Sequence, residues 1–316
     1  MASRRSKRKH DDSAEQQKNT EEGEDDSVDL SKSVLGGMKG GWRLNGDEDK
    51  DQGIETSKLP FGEKFIICQR YKGPPDSQAG NDPTLIFTHG AGGGIANPAT
   101  TEFAKGYASE SPVLCFQGTM NLQNRVKCFK TVLEDSQGVT ALGGRSMGAR
   151  AATITATEHA DIIQCLVLVS FPLTSERGGD SREDILLNIP EHIDVLFVIG
   201  DGDKMCHLGN LRRVRQRMKA TSWSVVVEGA DHSMSLKDKR GVSAMRAKTG
   251  QIAAQWRSQR DDNNNEAIVS WNGETSEVEV SDWRRGPIQS RASRGASDKD
   301  RQDEPQPPRK RQRKKP

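Results

Sequence analysis

Ser146 stands at the centre of Gly144-Arg145-Ser146-Met147-Gly148, just after the apolar Val139 to Leu142 and just before the Ala- and Thr-rich run Arg150 to His159. A serine hydroxyl is a weak nucleophile until a base takes its proton. A tight strand-to-helix turn, with glycines two residues to either side, gives a strained serine room and lifts its Oγ above the C-terminal edge of a sheet. The N–H of Met147, at the start of the next helix, then faces a developing oxyanion. The chemistry this predicts is acyl transfer from an ester, thioester or amide through a covalent intermediate that water resolves.

Three further segments supply partners, each just past an apolar run. Thr88-His89-Gly90-Ala91-Gly92-Gly93-Gly94 is a glycine-rich loop, and its Gly90–Ala91 region is expected to give the second oxyanion N–H. The loop lacks the lysine of a P-loop and is not a dinucleotide fingerprint with an acidic partner, so a nucleotide-binding reading is weak. His89 is read as a loop-organising residue, because bases in this arrangement come late in the chain. Ile199-Gly200-Asp201-Gly202-Asp203 offers the orienting carboxylate: Asp203, clear of the strand end, with Asp201 as the alternative. Asp231-His232-Ser233-Met234 offers the base, His232. Asp231 is its sequence neighbour and would point elsewhere, and His207 is read as a helix-start residue. The order is Ser146, Asp203, His232.

Those residues need a framework, and residues 59–260 provide one. Lys64–Arg70, Thr84–Thr88, Pro112–Gln117, Val139–Leu142, Gln164–Val169, Asp194–Ile199 and Trp223–Val227 read as strands. Between them, helices are predicted from Asn97-Pro98, over Asn121–Asp135 (Leu122, Val126, Phe129 and Leu133 on one face), Arg150–His159, His207–Ala220 and Val242–Trp256. Strands apolar on both faces and separated by helices predict an α/β fold with a mostly parallel, doubly wound sheet. Residues 170–193 are too few for a large lid, so a small substrate and an open site are expected.

Together these strings resemble the α/β-hydrolase superfamily, and within it the dienelactone-hydrolase-like group of the testis-expressed α/β-hydrolase-like protein and subunit three of the nonspecific-lethal complex. The resemblance is carried by Thr88 to Gly93, Gly143 to Gly148, Ser170-Phe171-Pro172-Leu173, Val195 to Gly200 with Asp203-Lys204-Met205-Cys206, and Asp231 to Met234. It spans roughly residues 84–257. It implies that Ser146 matches the nucleophile, Asp203 the acid and His232 the base. The glycine run at 92–94 departs from the group's pattern. Since one relative is a chromatin-complex subunit, the resemblance also implies an alternative, a catalytically silent scaffold in a nuclear complex.

Composition bounds the rest. Of 316 residues, 32% are hydrophobic and 29% charged, too polar for a chain packed end to end. Residues 1–58 and 261–316 are read as disordered charged tails, although Ala267 to Val280 alternates partly around Asn272-Gly273, a hairpin signal. Basic clusters at 4–9 and 309–315 favour the nucleus over the cytoplasm, and nuclear protein partners through the tails are expected. The net charge of +2, from 47 basic and 45 acidic side chains, gives no overall pull toward nucleic acid or membrane. No sequence-specific nucleic-acid binding is expected. There is no transmembrane run, and the N-terminal residues do not form a secretory signal. The five cysteines are scattered, without a CxxC pair, and are expected as reduced, buried thiols. No cofactor or metal is expected. Arg145 and Arg150 flank the elbow and are read as sheet-edge or helix-surface arginines, with attraction of an anionic substrate as the alternative. Arg212, Arg213, Arg215, Arg217 and Lys219 are read as a solvated basic helix face.

Overall fold

The computed structural model describes residues 53–76, 80, 82–136, 138–175 and 179–286, all within the compact unit Gly40–Pro316. Most of both expected tails, including the two basic clusters, lies outside the described residues.

Ten strands form one sheet: β1 (Ile54–Phe61), β2 (Lys64–Tyr71), β3 (Leu85–Thr88), β4 (Val113–Phe116), β5 (Ala141–Arg145), β6 (Cys165–Val169), β7 (Asp194–Gly200), β8 (Ser222–Val227), β9 (Glu266–Asn272) and β10 (Glu277–Val280). Their order across the sheet is β1-β2-β4-β3-β5-β6-β7-β8-β9-β10. From β4 through β9 every pairing is parallel, while β1, β2 and β10 are antiparallel additions at the edges.

The α-helices among the described residues are α1 (Pro98–Ala108), α2 (Leu122–Asp135), α3 (Met147–Glu158), α4 (Glu183–Leu187), α5 (Leu208–Arg217) and α6 (Val242–Gln259). Asn97 and Asn121 cap α1 and α2 by accepting from the N–H groups of Ala99 and Asn124. Strand alternation sends residues to two cores. Ile86, Leu114, Leu166, Leu168, Val195 and Phe197 meet α2, α3 and α5 on one face. Leu85, Phe87, Val167, Leu196, Val198 and Trp223 meet α1 and α6 on the other. Burial on both faces is why these strands read as continuous apolar runs. Helices α1 and α6 touch backbone to backbone: a Cβ on Gly106 would lie 1.8 Å from the carbonyl oxygen of Ala247.

The strand order reverses beside β3, where β4 lies to one side and β5 to the other. Helix α1 leaves β3 toward one face and α3 leaves β5 toward the opposite face, which makes the C-terminal ends of these two strands the topological switch point of the sheet. The glycine-rich loop follows β3 and Ser146 follows β5 at this point.

Three expectations are corrected. The sheet extends beyond residues 59–260 at both ends, because Ile54–Phe61 pairs with β2 and Glu266–Val280 pairs onto β8. The 266–280 segment is therefore ordered, and Trp223–Val227 is not the last strand. A hairpin alone is marginal, but this one buries Ala267 and Val269 and sets Glu266 3.5 Å from the buried guanidinium of Arg215. Its turn occupies residues 273–276, where Asn272 accepts from the N–H groups of Glu274 and Thr275. Arg215 is the third correction. It lies under the basic helix rather than on a solvated face and donates to Ser222 and Ser224.

All five cysteines are buried and free, and burial raises the thiols of Cys68 and Cys206 to about 12. Among the described residues, no helix is long and apolar enough to cross a membrane.

Candidate active site

Strand β5 runs through Gly143, Gly144 and Arg145, and α3 begins at Met147, so the turn between them is the single residue Ser146. Its backbone has φ 52 and ψ −112. That conformation costs a non-glycine residue about 1–3 kcal/mol, and the surroundings enforce it. Ser146 N–H donates to the carbonyl of Val169 on β6 at 2.9 Å, and its carbonyl accepts from Arg150 N–H at 3.2 Å. The flanking glycines are sterically required. A Cβ on Gly144 would lie 2.4 Å from the carbonyl carbon of Gly148, and one on Gly148 would lie 2.6 Å from the carbonyl oxygens of Thr88 and His89. Ser146 occupies the N-cap position of α3 without a side-chain cap bond, so Oγ is free for another partner.

That partner is His232, with Nε2 2.9 Å from Ser146 Oγ. On the far side of the ring, Nδ1 lies 2.9 Å from Oδ2 of Asp203. A carboxylate accepts, so Nδ1 carries the proton and Nε2 is left to accept from the serine hydroxyl. Asp203 is 1% exposed, and its Oδ1 accepts from Met205 N–H at 2.8 Å. The structure thus brings together the three residues that the sequence named from three different strand ends. The loops carrying the acid and the base are tied to each other: Gly202 N–H donates to Ala230 at 3.0 Å, and Asp203 N–H turns back to Gly200 at 3.2 Å.

The alternatives go elsewhere. Asp201 accepts from Gly229 N–H at 2.7 Å, and Asp231 from Ser233 and Ser235 N–H. His207 is an exposed residue at the start of α5. His89 is 2% exposed and spends both ring nitrogens on backbone. Nδ1–H donates to the Gly90 carbonyl at 2.6 Å and Nε2 accepts from Gly118 N–H at 3.0 Å. Burial, helped by the nearby Arg125 cation, lowers its pKa to about 3.

Met147 is the first residue of α3, so its N–H has no intrahelical acceptor and sits at the positive end of the helix. Gly90 packs directly on the nucleophile, where an added Cβ would approach Ser146 Cβ to 3.4 Å. Ala91, next to it, is exposed. The two N–H sources expected from sequence therefore flank the serine.

Neither arginine beside the elbow is a plain surface residue. Arg145 is 9% exposed, and its Nη2 donates to the carbonyl of His232 at 3.0 Å. Burial, with Arg246 next in effect, lowers its pKa. Arg246 on α6 donates to the carbonyls of Ser233 and Met234 and pairs with Glu102 at 3.0 Å. The histidine loop is therefore held by cations on three successive carbonyls. Arg150 is half-buried, with an unpartnered Nε. Sequence reading missed Arg246 and Arg125. The latter had a legible signal, because it falls in the apolar stripe of α2 between Leu122 and Phe129.

A family model described as an alpha/beta hydrolase domain matches residues 117–258. Similar solved structures include a dienelactone hydrolase from Anabaena variabilis (TM-score 0.52, 14% identity, covering 66% of this chain and 97% of that one). Est1E from Butyrivibrio proteoclasticus gives 0.51 at 15% identity over 65% and 99%. An alpha-beta serine hydrolase homologue from Coxiella burnetii gives 0.52 at 16% over 63% and 96%. At these identities the likeness is one of fold. The chain has the α/β-hydrolase fold, and within it residues 117–258 are similar to the alpha/beta hydrolase domain.

Proposed function

We propose that this protein is a serine hydrolase that cleaves a small ester or thioester through an acyl-enzyme. The observation that carries the reading is the continuous hydrogen-bonded line from Ser146 Oγ through His232 to Asp203, at a strained turn on the C-terminal edge of the sheet. As Oγ attacks the substrate carbonyl, His232 Nε2 takes its proton. The imidazolium is held by Asp203, and the oxyanion accepts from the N–H of Met147 and of the Gly90–Ala91 loop. Collapse expels an alkoxide or thiolate, which receives the proton from His232. Water, deprotonated by the same nitrogen, then releases the acid and restores Ser146.

An esterase-like fold suits a small-molecule substrate. A silent scaffold is not favoured, since it would not require this alignment. The test is turnover of a panel of p-nitrophenyl esters and acyl thioesters of increasing acyl length. We expect hydrolysis of the short members, and a loss of about 10⁴–10⁶-fold in Ser146→Ala. A folded wild type no faster than the variant on every member would reject the reading.

The nuclear assignment and nuclear partners are proposals that rest on the basic clusters at 4–9 and 309–315 alone. Deleting both clusters should move a tagged protein out of the nucleus. An unchanged distribution would remove this part of the account.

A further inference from the structure

Arg125 is fully buried on α2, the helix that also buries Val126 and Phe129. A buried guanidinium is costly to desolvate, so where its donors go is informative. They go to carbonyl oxygens: Nε to Thr119 at 2.8 Å, and Nη1 to His89 and, at 3.2 Å, to Gly90. Nη2 is buried without a partner. Burial lowers the group to about 10, which leaves it a cation at neutral pH.

The carbonyls of His89 and Gly90 belong to the two peptides that flank Gly90, the residue packed on Ser146. The Gly90 carbonyl takes a second donor, His89 Nδ1–H at 2.6 Å. In a trans peptide the C=O and N–H point to opposite sides. Pinning the Gly90 carbonyl inward on Arg125 and His89 therefore turns the Ala91 N–H outward, on the exposed side of the loop. The loop lies close against the elbow here: a Cβ on Gly90 would sit 2.7 Å from Arg145 Nη1 and 3.4 Å from Ser146 Cβ.

We propose that Arg125 is a positioning residue for the reaction: it fixes the Gly90–Ala91 peptide so that the Ala91 N–H faces the oxyanion formed at Ser146. This rests on the serine-hydrolase reading and assigns the second oxyanion donor within it. Arg125 touches no substrate atom. It acts through the peptide it holds, and its charge lies on the inner side of that same peptide.

The test uses the full chain with an ester that the wild type hydrolyses. Arg125→Met and Arg125→Lys are compared for kcat and KM, and Arg125→Ala is assayed with and without millimolar guanidinium. Losing a preorganised oxyanion donor costs about 10²–10³-fold in kcat. A misdirected one should cost Arg125→Met about 10²-fold, with KM changed less than about threefold. Affinity for an alkylboronic acid, which forms a tetrahedral adduct on the serine, should fall in parallel. Guanidinium should restore part of the kcat of Arg125→Ala. A folded Arg125→Met with wild-type kcat overturns the proposal. So does a drop in kcat that tracks only the unfolded fraction and is not rescued. If Arg125→Met does not fold, Arg125→Lys decides: one ammonium nitrogen cannot serve the Thr119, His89 and Gly90 carbonyls as the two guanidinium nitrogens do, so kcat and boronate affinity should fall by about tenfold, and wild-type values of both overturn the proposal. A wild type with no turnover at all overturns the underlying reading first and this proposal with it.

Discussion

His89 and His232 each follow a strand of the same sheet at its C-terminal edge, one after β3 and one after β8, yet they are chemically opposite. His89 is sealed in, and both ring nitrogens are bound to backbone. His232 is partly exposed, and its ring nitrogens meet a hydroxyl on one side and a carboxylate on the other. The first imidazole can only hold a loop in shape, whereas the second can move a proton. Position at a strand end does not make a histidine a base. What its two nitrogens are left to do decides the matter.

The largest effect should come from exchanging the roles that this contrast assigns. His232→Gln should lower kcat/KM by about 10⁴-fold or more, and Asp203→Asn by about 10⁴-fold through the wrong tautomer. Asp201→Asn, whose side chain serves the turn at Gly229, should change kcat/KM by less than about tenfold. His89→Gln should fall between these limits, near tenfold, because it removes one of two donors to the Gly90 carbonyl. If His89→Gln proved as damaging as His232→Gln in folded protein, the contrast would collapse.

A smaller effect is expected in stability. The pKa of His89 is lowered in the folded protein, to about 3 from an ordinary 6.5. Both states are neutral above pH 6.5, so its full contribution is present there. As pH falls from about 6.5 toward 3, the unfolded chain takes up a proton that the folded one refuses, and that stability is lost. Between pH 7.5 and 4.5 the loss is about 2–3 kcal/mol. Urea midpoints of wild type and His89→Gln at those two pH values should therefore converge on acidification. A constant gap would mean that His89 is not held neutral by the fold.

The parts of this site that were legible in the sequence are those with local causes. Gly144 and Gly148 bracket Ser146 because the turn itself is tight, and each reactive residue follows an apolar run. Asp203 stood out from Asp201 through its offset from the strand end. What stayed hidden depends on distant contacts. Strand β9 exchanges hydrogen bonds with β8 across the length of α6, and it packs Glu266 against Arg215, a pairing that no local window contains. Arg215 looked like one more cation on a basic helix face. Arg145 and Arg246 reach their carbonyl acceptors on the histidine loop across 87 and 12 residues of chain. Strand β5 starts two residues later and ends three residues later than the Val139–Leu142 read from sequence, because Gly143 and Gly144 read as its end, yet both lie in the strand, where the absence of a side chain lets β6 and α3 approach.

The most direct measurement is mass-spectrometric mapping of a fluorophosphonate adduct on the full-length protein. The account predicts one adduct, on Ser146, formed by the wild type, absent from Ser146→Ala and strongly slowed in His232→Gln. A folded wild type that stays unlabelled, or an adduct that persists in Ser146→Ala, would contradict it.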